Sequence, residues 1–248
     1  MTPERSTKPP DSRACTGVST PFILVVASSL AELQGHAKYE MCADDRAAAA
    51  SPFVRKTPQG EPFAVVCVGV GQVNAALNTY QAIQSLHPSL VVGIGTCGAL
   101  QDDLRVGDLL IAGSVIQYEV DLRRFGLKRG ELPGAGGVPS GALATDFPTW
   151  SWDAGERLFT SCTLGTADRF LVANDRRDAE YLQDELGLAA VDMESYAMVA
   201  AARKASVPVA ILRTVSDTSR GARPRSYPAF LAESSERMFR GIMALIAR

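Results

Sequence analysis

Histidine is almost missing: His36 and His87 are the only two in 248 residues. Zinc sites and hydroxyl–imidazole–carboxylate triads both need that side chain, so catalysis, if present, rests on carboxylates, hydroxyls and backbone groups. No metal and no organic cofactor is expected. Cysteine carries no pattern either. Cys15, Cys42, Cys67, Cys97 and Cys162 are odd in number and form no CxxC pair or metal spacing. They read as reduced thiols in a cytoplasmic protein. An excess of one charge is also absent, since 25 basic residues against 27 acidic ones leave a net charge of −2. Without a polybasic footprint, nucleic acid is not an expected partner. No stretch of about 20 apolar residues exists, so no membrane-spanning helix is expected. The two tryptophans, Trp150 and Trp152, stand together in a loop-rich stretch and read as loop packing.

What is present is an ordinary globular composition, 46% hydrophobic and 21% charged, in a chain long enough for one large α/β domain or two small ones. Residues 1–20, rich in Pro, Ser, Thr and charge, read as a disordered leader, with one domain over 21–248. Arg5, Lys8 and Arg13 ahead of the apolar run Pro21 to Ala31 superficially resemble a secretory signal. The run is short, and reads instead as the first core strand. Phe22 to Ala27 suits a strand buried on both faces. A helix from Ser29 to Met41 follows, with Glu32 in its first turn. Phe53–Thr57 and Pro62–Val68 flank a hairpin signal at Pro58-Gln59-Gly60-Glu61.

Further on, a helix is expected over Val73–Leu86, with Ala75, Ala76, Tyr80 and Ile83 inward. Strands follow at Leu90–Ile94, Leu109–Tyr118 and Leu158–Leu164, a helix at Asp175–Glu185, and a last amphipathic helix from Tyr227. Phe230, Leu231, Met238, Phe239, Ile242, Leu245 and Ile246 form its inner face. Strands alternating with helices predict a three-layer αβα fold on a mixed, largely parallel, twisted sheet.

Two carboxylates stand just beyond strand ends, where open α/β sheets bind ligands. One is Glu194, in Val191-Asp192-Met193-Glu194 ahead of a helix; the other is Asp217, closing the apolar run Val207 to Ser216. Asp192 reads as an N-cap, while Asp217 is equally a turn former or a catalytic group by pattern. Gly93-Ile94-Gly95-Thr96-Cys97-Gly98 spells GxGxxG after a strand. No helix opens in that turn, which a dinucleotide site would require. What remains is a turn that lets a small ligand approach the backbone, with Thr96 beside it.

In chain order, Gly69-Val70-Gly71-Gln72-Val73-Asn74-Ala75-Ala76, Gly95 to Leu100, Val106-Gly107-Asp108, Asp121 to Gly126 with Gly130 to Gly134, Val191 to Glu194, and Arg213 to Asp217 resemble the nucleoside phosphorylase superfamily. The resemblance is closest to its 5′-methylthioadenosine/S-adenosylhomocysteine nucleosidase branch. It implies an N-ribosyl hydrolase that releases adenine from one or both of those nucleosides, with a place in methionine salvage. In that family's terms, Asp217 would protonate purine nitrogen-7, holding its proton through burial, and Ser216 would orient it. Glu32 would be the base for water. Glu194 would grip the ribose hydroxyls and steady the cationic sugar, with Met193 packed on the ring. Thr96 would sit near sugar and water, Phe170 and the Leu171 backbone on the adenine, and Val70 and Tyr227 along the rest of the nucleoside. Leu122 and Phe125 would enter a neighbouring subunit's pocket, implying a homodimer.

The phosphorylases place an arginine where this chain has Gly93, and no arginine lies in Ala27 to Glu32. Losing two guanidinium contacts costs phosphate binding roughly 1.5–3 kcal/mol for each charged hydrogen bond, so water is the expected nucleophile. Ser29 stands where the branch tends to have methionine, which makes the 5′ end of the pocket more polar. The region from about Gly137 to Gly165 is shorter and differently composed than in the branch, consistent with a lost helix. A futalosine hydrolase, a nucleoside phosphorylase and a catalytically silent nucleoside-binding protein are the alternatives.

Overall fold

The computed structural model describes residues 22–41, 53–133, 141–146 and 157–246. The expected leader, the alanine-rich stretch at 44–51, the Pro-Gly stretch from 134 and both tryptophans lie outside the described residues. So do the side chains of Leu245 and Ile246.

The first apolar run forms β1 (Ile23–Ala27), buried at all five positions. After it come α1 (Leu30–Leu33) and a 3-10 turn (Gln34–Lys38), then the strands β2 (Glu40–Met41), β3 (Phe53–Lys56) and β4 (Pro62–Cys67). Next are α2 (Gln72–Leu86), β5 (Leu90–Gly93), β6 (Thr96–Ala99), β7 (Leu109–Gln117), a 3-10 turn at Arg123–Phe125 and β8 (Leu143–Ala144). The chain ends with β9 (Leu158–Thr166), α3 (Ala173–Arg177), α4 (Tyr181–Asp184), β10 (Ala190–Asp192), α5 (Ser195–Lys204), β11 (Val209–Asp217) and α6 (Tyr227–Ile246).

The strands line up as β2-β3-β4-β1-β5-β11-β6-β10-β9-β7-β8. The inner neighbours β4-β1-β5-β11-β6 are parallel, and antiparallel pairs join β2 to β3, β3 to β4, β6 to β10 and β7 to β8. β11 touches three partners: β5 along Val209–Ile211, β7 along Leu212–Thr214, and β6 along Thr214–Asp217. The β7 pairing bends half of the sheet into a closed ring, so the edge that a flat sheet would expose is consumed. Alternation along β1 sends Leu24 and Val26 into one apolar cluster and Ile23, Val25 and Ala27 into another. Ala75, Ile83, Met198 and Val199 of α2 and α5 fill the first; Met238, Phe239 and Ile242 of α6 fill the second. These are the three layers.

Three expectations need correction. The helix expected over 29–41 stops after one turn, because Gly35 lies against α6 so closely that a Cβ there would come within 2.7 Å of the Ser235 carbonyl oxygen. The glycine-rich turn after β5 is itself strand β6 after a break at Ile94-Gly95, since its backbone pairs with both β11 and β10. The helix expected over 175–185 is two short ones, α3 and α4. On α2 the buried side chains are Ala75, Thr79, Ala82 and Ile83, with Ala76 and Tyr80 only half-buried.

At Gly93 a Cβ would sit 2.6 Å from Ile211 Cδ1 and 2.9 Å from Met198 Sδ, so α5 packs on the sheet only because position 93 has no side chain. Gly93→Ala is expected to lower stability by about 1–3 kcal/mol through overpacking, read from urea unfolding midpoints at unchanged slope.

Candidate active site

The segments leaving β1, β4, β5, β9 and β10, with the end of β11 and the start of α6, enclose a cavity of about 520 Å³. Ten of the residues singled out from sequence line it: Glu32, Val70, Thr96, Phe170, Leu171, Met193, Glu194, Ser216, Asp217 and Tyr227. Its size suits a nucleoside-sized ligand. Leu122 and Phe125 do not line it; they lie at the second 3-10 turn, Phe125 with 80% of its surface exposed.

Ser216 and Asp217 are neighbours in a strand, where consecutive side chains should point to opposite faces. Both reach the cavity because the register with β6 shifts between Val215 and Asp217, a bulge that re-aims the chain. The Ser216 hydroxyl lies 2.8 Å from Asp217 Oδ1 and 3.2 Å from the Cys97 carbonyl oxygen. The other Asp217 oxygen pairs with Arg176, from α3. Asp217 is thus buried with a guanidinium beside it, a partner that the sequence reading did not include.

Glu32 is held by a capping box. Its Oε2 accepts from the Ser29 backbone N–H at 3.2 Å, while Ser29 Oγ accepts from the Glu32 N–H at 3.4 Å. Oε2 also accepts from Ser28 Oγ at 2.6 Å, and Oε1 from the Thr96 N–H at 3.1 Å. Ser235 of α6 fixes the turn by donating to the Glu32 carbonyl at 2.6 Å and accepting from the Gly35 N–H at 2.8 Å. Glu32 is 7% exposed and lines the cavity, where Oε1 also accepts from the Thr96 hydroxyl at 3.5 Å. The Thr96 hydroxyl stands 3.4 Å from the Tyr227 hydroxyl.

Glu194 is the N-cap of α5, and its Oε1 accepts from the Gly71 N–H at 3.0 Å. Burial, with the Asp192 charge adding to it, pushes its carboxyl up to about 7. The N-cap expected at Asp192 falls two residues later, at Glu194, though Asp192 does accept from the N–H groups of Glu194 and Ser195, at 3.3 and 3.2 Å. It is more than a cap, because its Oδ2 takes Arg213 Nε at 2.8 Å and both side chains are 1% exposed. Burial opposes the Arg213 charge, but Asp192, Glu194 and Glu32 around it prevail and raise its pKa. Cys97, on the cavity wall, is held protonated well above the usual thiol range by burial, so it is inert.

Sequence reasoning missed Arg176, Arg169 and Arg223, of which the last two line the cavity. It also missed Arg213 as an organiser. The signal for Arg213 was legible: a charge inside a fully apolar strand demands a buried partner. Nothing local marked Arg176, whose contacts are 77 and 41 residues away in sequence. Among the described residues no three His, Cys, Asp or Glu side chains converge as a metal ligand set, and no helix is long and apolar enough to cross a membrane.

A model of the phosphorylase superfamily matches residues 21–247. The 5′-methylthioadenosine/S-adenosylhomocysteine nucleosidase of Hydrogenovibrio crunogenus is 30% identical over 188 residues, covering 72% of this chain and 77% of that one. The nucleosidase of the same description from Staphylococcus haemolyticus is 29% identical over 176 residues, 68% and 74% of the two chains. Among solved structures, the Campylobacter jejuni nucleosidase superposes with a TM-score of 0.75 at 18% identity, over 91% of this chain and 98% of that one. Futalosine hydrolase of Helicobacter pylori superposes with a TM-score of 0.73 at 19% identity, over 93% and 99%. At those identities the superpositions speak for the fold.

The raised Glu194 makes a stability prediction. A buried carboxyl raised from 4.5 to about 7 binds more protons folded than unfolded between those values, so its ionisation destabilises the protein progressively as pH rises through that window. Glu194→Gln keeps the acceptor for Gly71 and cannot ionise. It is expected to be more stable than wild type by about 2–3 kcal/mol at pH 8 and nearly equal to it below pH 4.5, compared by urea unfolding at both values.

Proposed function

The chain belongs to the phosphorylase superfamily, and on that footing we propose that it is a purine nucleosidase, an N-ribosyl hydrolase that releases adenine from 5′-methylthioadenosine, S-adenosylhomocysteine or both. The observation that carries this reading is one cavity shared by Asp217, Glu194 and Glu32. Its carboxylates suit the three tasks of the reaction, which passes through a cationic, oxocarbenium-like sugar. The leaving base needs a proton, the sugar needs a negative neighbour, and a water needs a base.

Asp217 is the proton donor to purine nitrogen-7, aimed by Ser216. Glu194 hydrogen-bonds the ribose hydroxyls and steadies the positive sugar, with Met193 against the ring. For that it acts as carboxylate, so its ionisation near pH 7 favours ribose binding on the alkaline side. Glu32 takes the proton of the attacking water, which would displace the long Thr96 hydroxyl contact at 3.5 Å on its Oε1. Phe170 and Leu171 border the base, while Val70 and Tyr227 border the rest of the nucleoside.

Water rather than phosphate is the nucleophile in this reading. The position where phosphorylases carry arginine is Gly93, where even a Cβ would require Ile211 and Met198 to shift. Arg213 lies near, but its charge is committed to Asp192, Glu194 and Glu32. A futalosine-type substrate is the second reading, favoured by the polar Ser28 and Ser29 on the cavity wall where a methylthio group prefers apolar contact.

The finer proposal is a homodimer acting in the cytoplasm, in methionine salvage. The homodimer is supported by an apolar strip beside the cavity, with Val70, Val73 and Leu77 at least 56% exposed, together with exposed Phe125.

Each nucleoside incubated with and without phosphate should release free base at the same rate; a phosphate-dependent sugar phosphate would replace hydrolase by phosphorylase. In the same assay, Asp217→Asn and Glu32→Gln are each expected to lower kcat by about 10²–10⁴, the usual range for a positioned acid or base. A nucleoside-binding protein would show no turnover in any form.

A further inference from the structure

Asp217 faces the nucleoside cavity on one side and Arg176 on the other. The Arg176 side chain is 2% exposed, with Nη2 on Asp217 Oδ2 and Nη1 donating to the Ala99 carbonyl at 2.9 Å. This close approach exists because residue 98 is glycine, where a Cβ would collide with Nη1. Both Asp217 oxygens are then engaged, Oδ1 by Ser216 and Oδ2 by the cation. A carboxylate so held has no proton to hand to a leaving base.

The guanidinium is not fully satisfied where it sits. Its Nε is buried without a hydrogen-bond partner. Behind it opens a second cavity, of about 810 Å³, which Arg176 shares with Asp102, Asp103, Glu180, Gln183 and Asp184. Asp102 is occupied by Ser219 and Arg220, at 2.6 and 3.0 Å. The carboxylates of Glu180 and Asp184, four and eight residues beyond Arg176, make no ion pair or hydrogen bond among the described residues. Arg176 borders this second cavity together with both carboxylates.

Resting on the nucleosidase reading, we propose that Arg176 is a positioning residue for the proton donor with two stations. It is paired to Asp217 in the free protein, and withdrawn toward Glu180 and Asp184 once a nucleoside fills the front cavity. As the cation leaves, Asp217 takes one proton from water, passes it to the base nitrogen as the glycosidic bond breaks, and returns to carboxylate. Arg176 then closes on it again. The attacking water yields its proton to Glu32 and from there to solvent, so protons balance over a turnover.

The test compares kcat and KM for wild type, for Glu180→Gln/Asp184→Asn, and for that pair combined with Arg176→Gln. With its second station neutralised, Arg176 stays on Asp217, and kcat is expected to fall about tenfold while KM changes by no more than about twofold. Adding Arg176→Gln should restore most of that loss, a suppression that a merely structural arginine would not give. Where Arg176→Gln does not fold, Arg176→Met removes the charge at similar volume and carries the same comparison. An undiminished kcat in the double variant, or a loss that the arginine substitution deepens, overturns the two-station proposal while wild-type turnover leaves the nucleosidase reading standing. A wild-type protein that releases no base from any nucleoside overturns both.

Discussion

One buried guanidinium holds this site together. Arg213 sits inside the strand that pairs with three others, 1% exposed, and bonds to Asp192 across the ring of strands while two further carboxylates, Glu194 and Glu32, lie close enough to affect its charge. Three acids around one cation leave an excess of negative charge beside the cavity. At Glu194 burial is the larger cause and the Asp192 charge adds to it, and together they push its carboxyl up to about 7 from 4.5. In the reaction proposed above, that excess favours a positive sugar, because an incoming cation relieves it. The same excess costs stability whenever no cation is present. The pairing of Asp192 with Arg213 limits that cost, and removing either partner alone would strand the other's charge in the core.

The backbone supplies the second half of the arrangement. A bulge beside Ser216 turns two consecutive side chains into one cavity, and a capping box holds Glu32 at the mouth of β1. Both devices give rigidity without a large hydrophobic investment at the site, which leaves its floor polar. Glu32 consequently has two roles that its geometry does not separate. It closes a helix turn and it lines the cavity. Ser235, buried in α6, bonds to that turn on both sides, so the last helix of the chain positions a residue near its beginning.

Much of this was legible along the chain, and for identifiable reasons. The apolar run Ile23 to Ala27 could only be a strand buried on both faces, and the alternation of such runs with helical stretches fixed the layers. Glu32, Glu194, Ser216 and Asp217 were readable as site residues because their segments end strands and resemble a known family; the structure then gathers all four around one cavity. The helix breaks at Gly35 and Asp178 were not readable. Gly35 disfavours helix locally, but its packing against α6 could not be read from the chain, and nothing local marked the stop at Asp178.

By itself the sequence determined the fold class, the family and the chemical kinds of group available. These follow from hydrophobic periodicity and from short segments whose order survives in the chain. Only the tertiary structure decided which charges meet. It set Asp192 against Arg213 rather than leaving it a cap, raised Glu194, and put Arg176 behind Asp217. Pairing energies depend on separation and burial in three dimensions, to which position along a chain is blind.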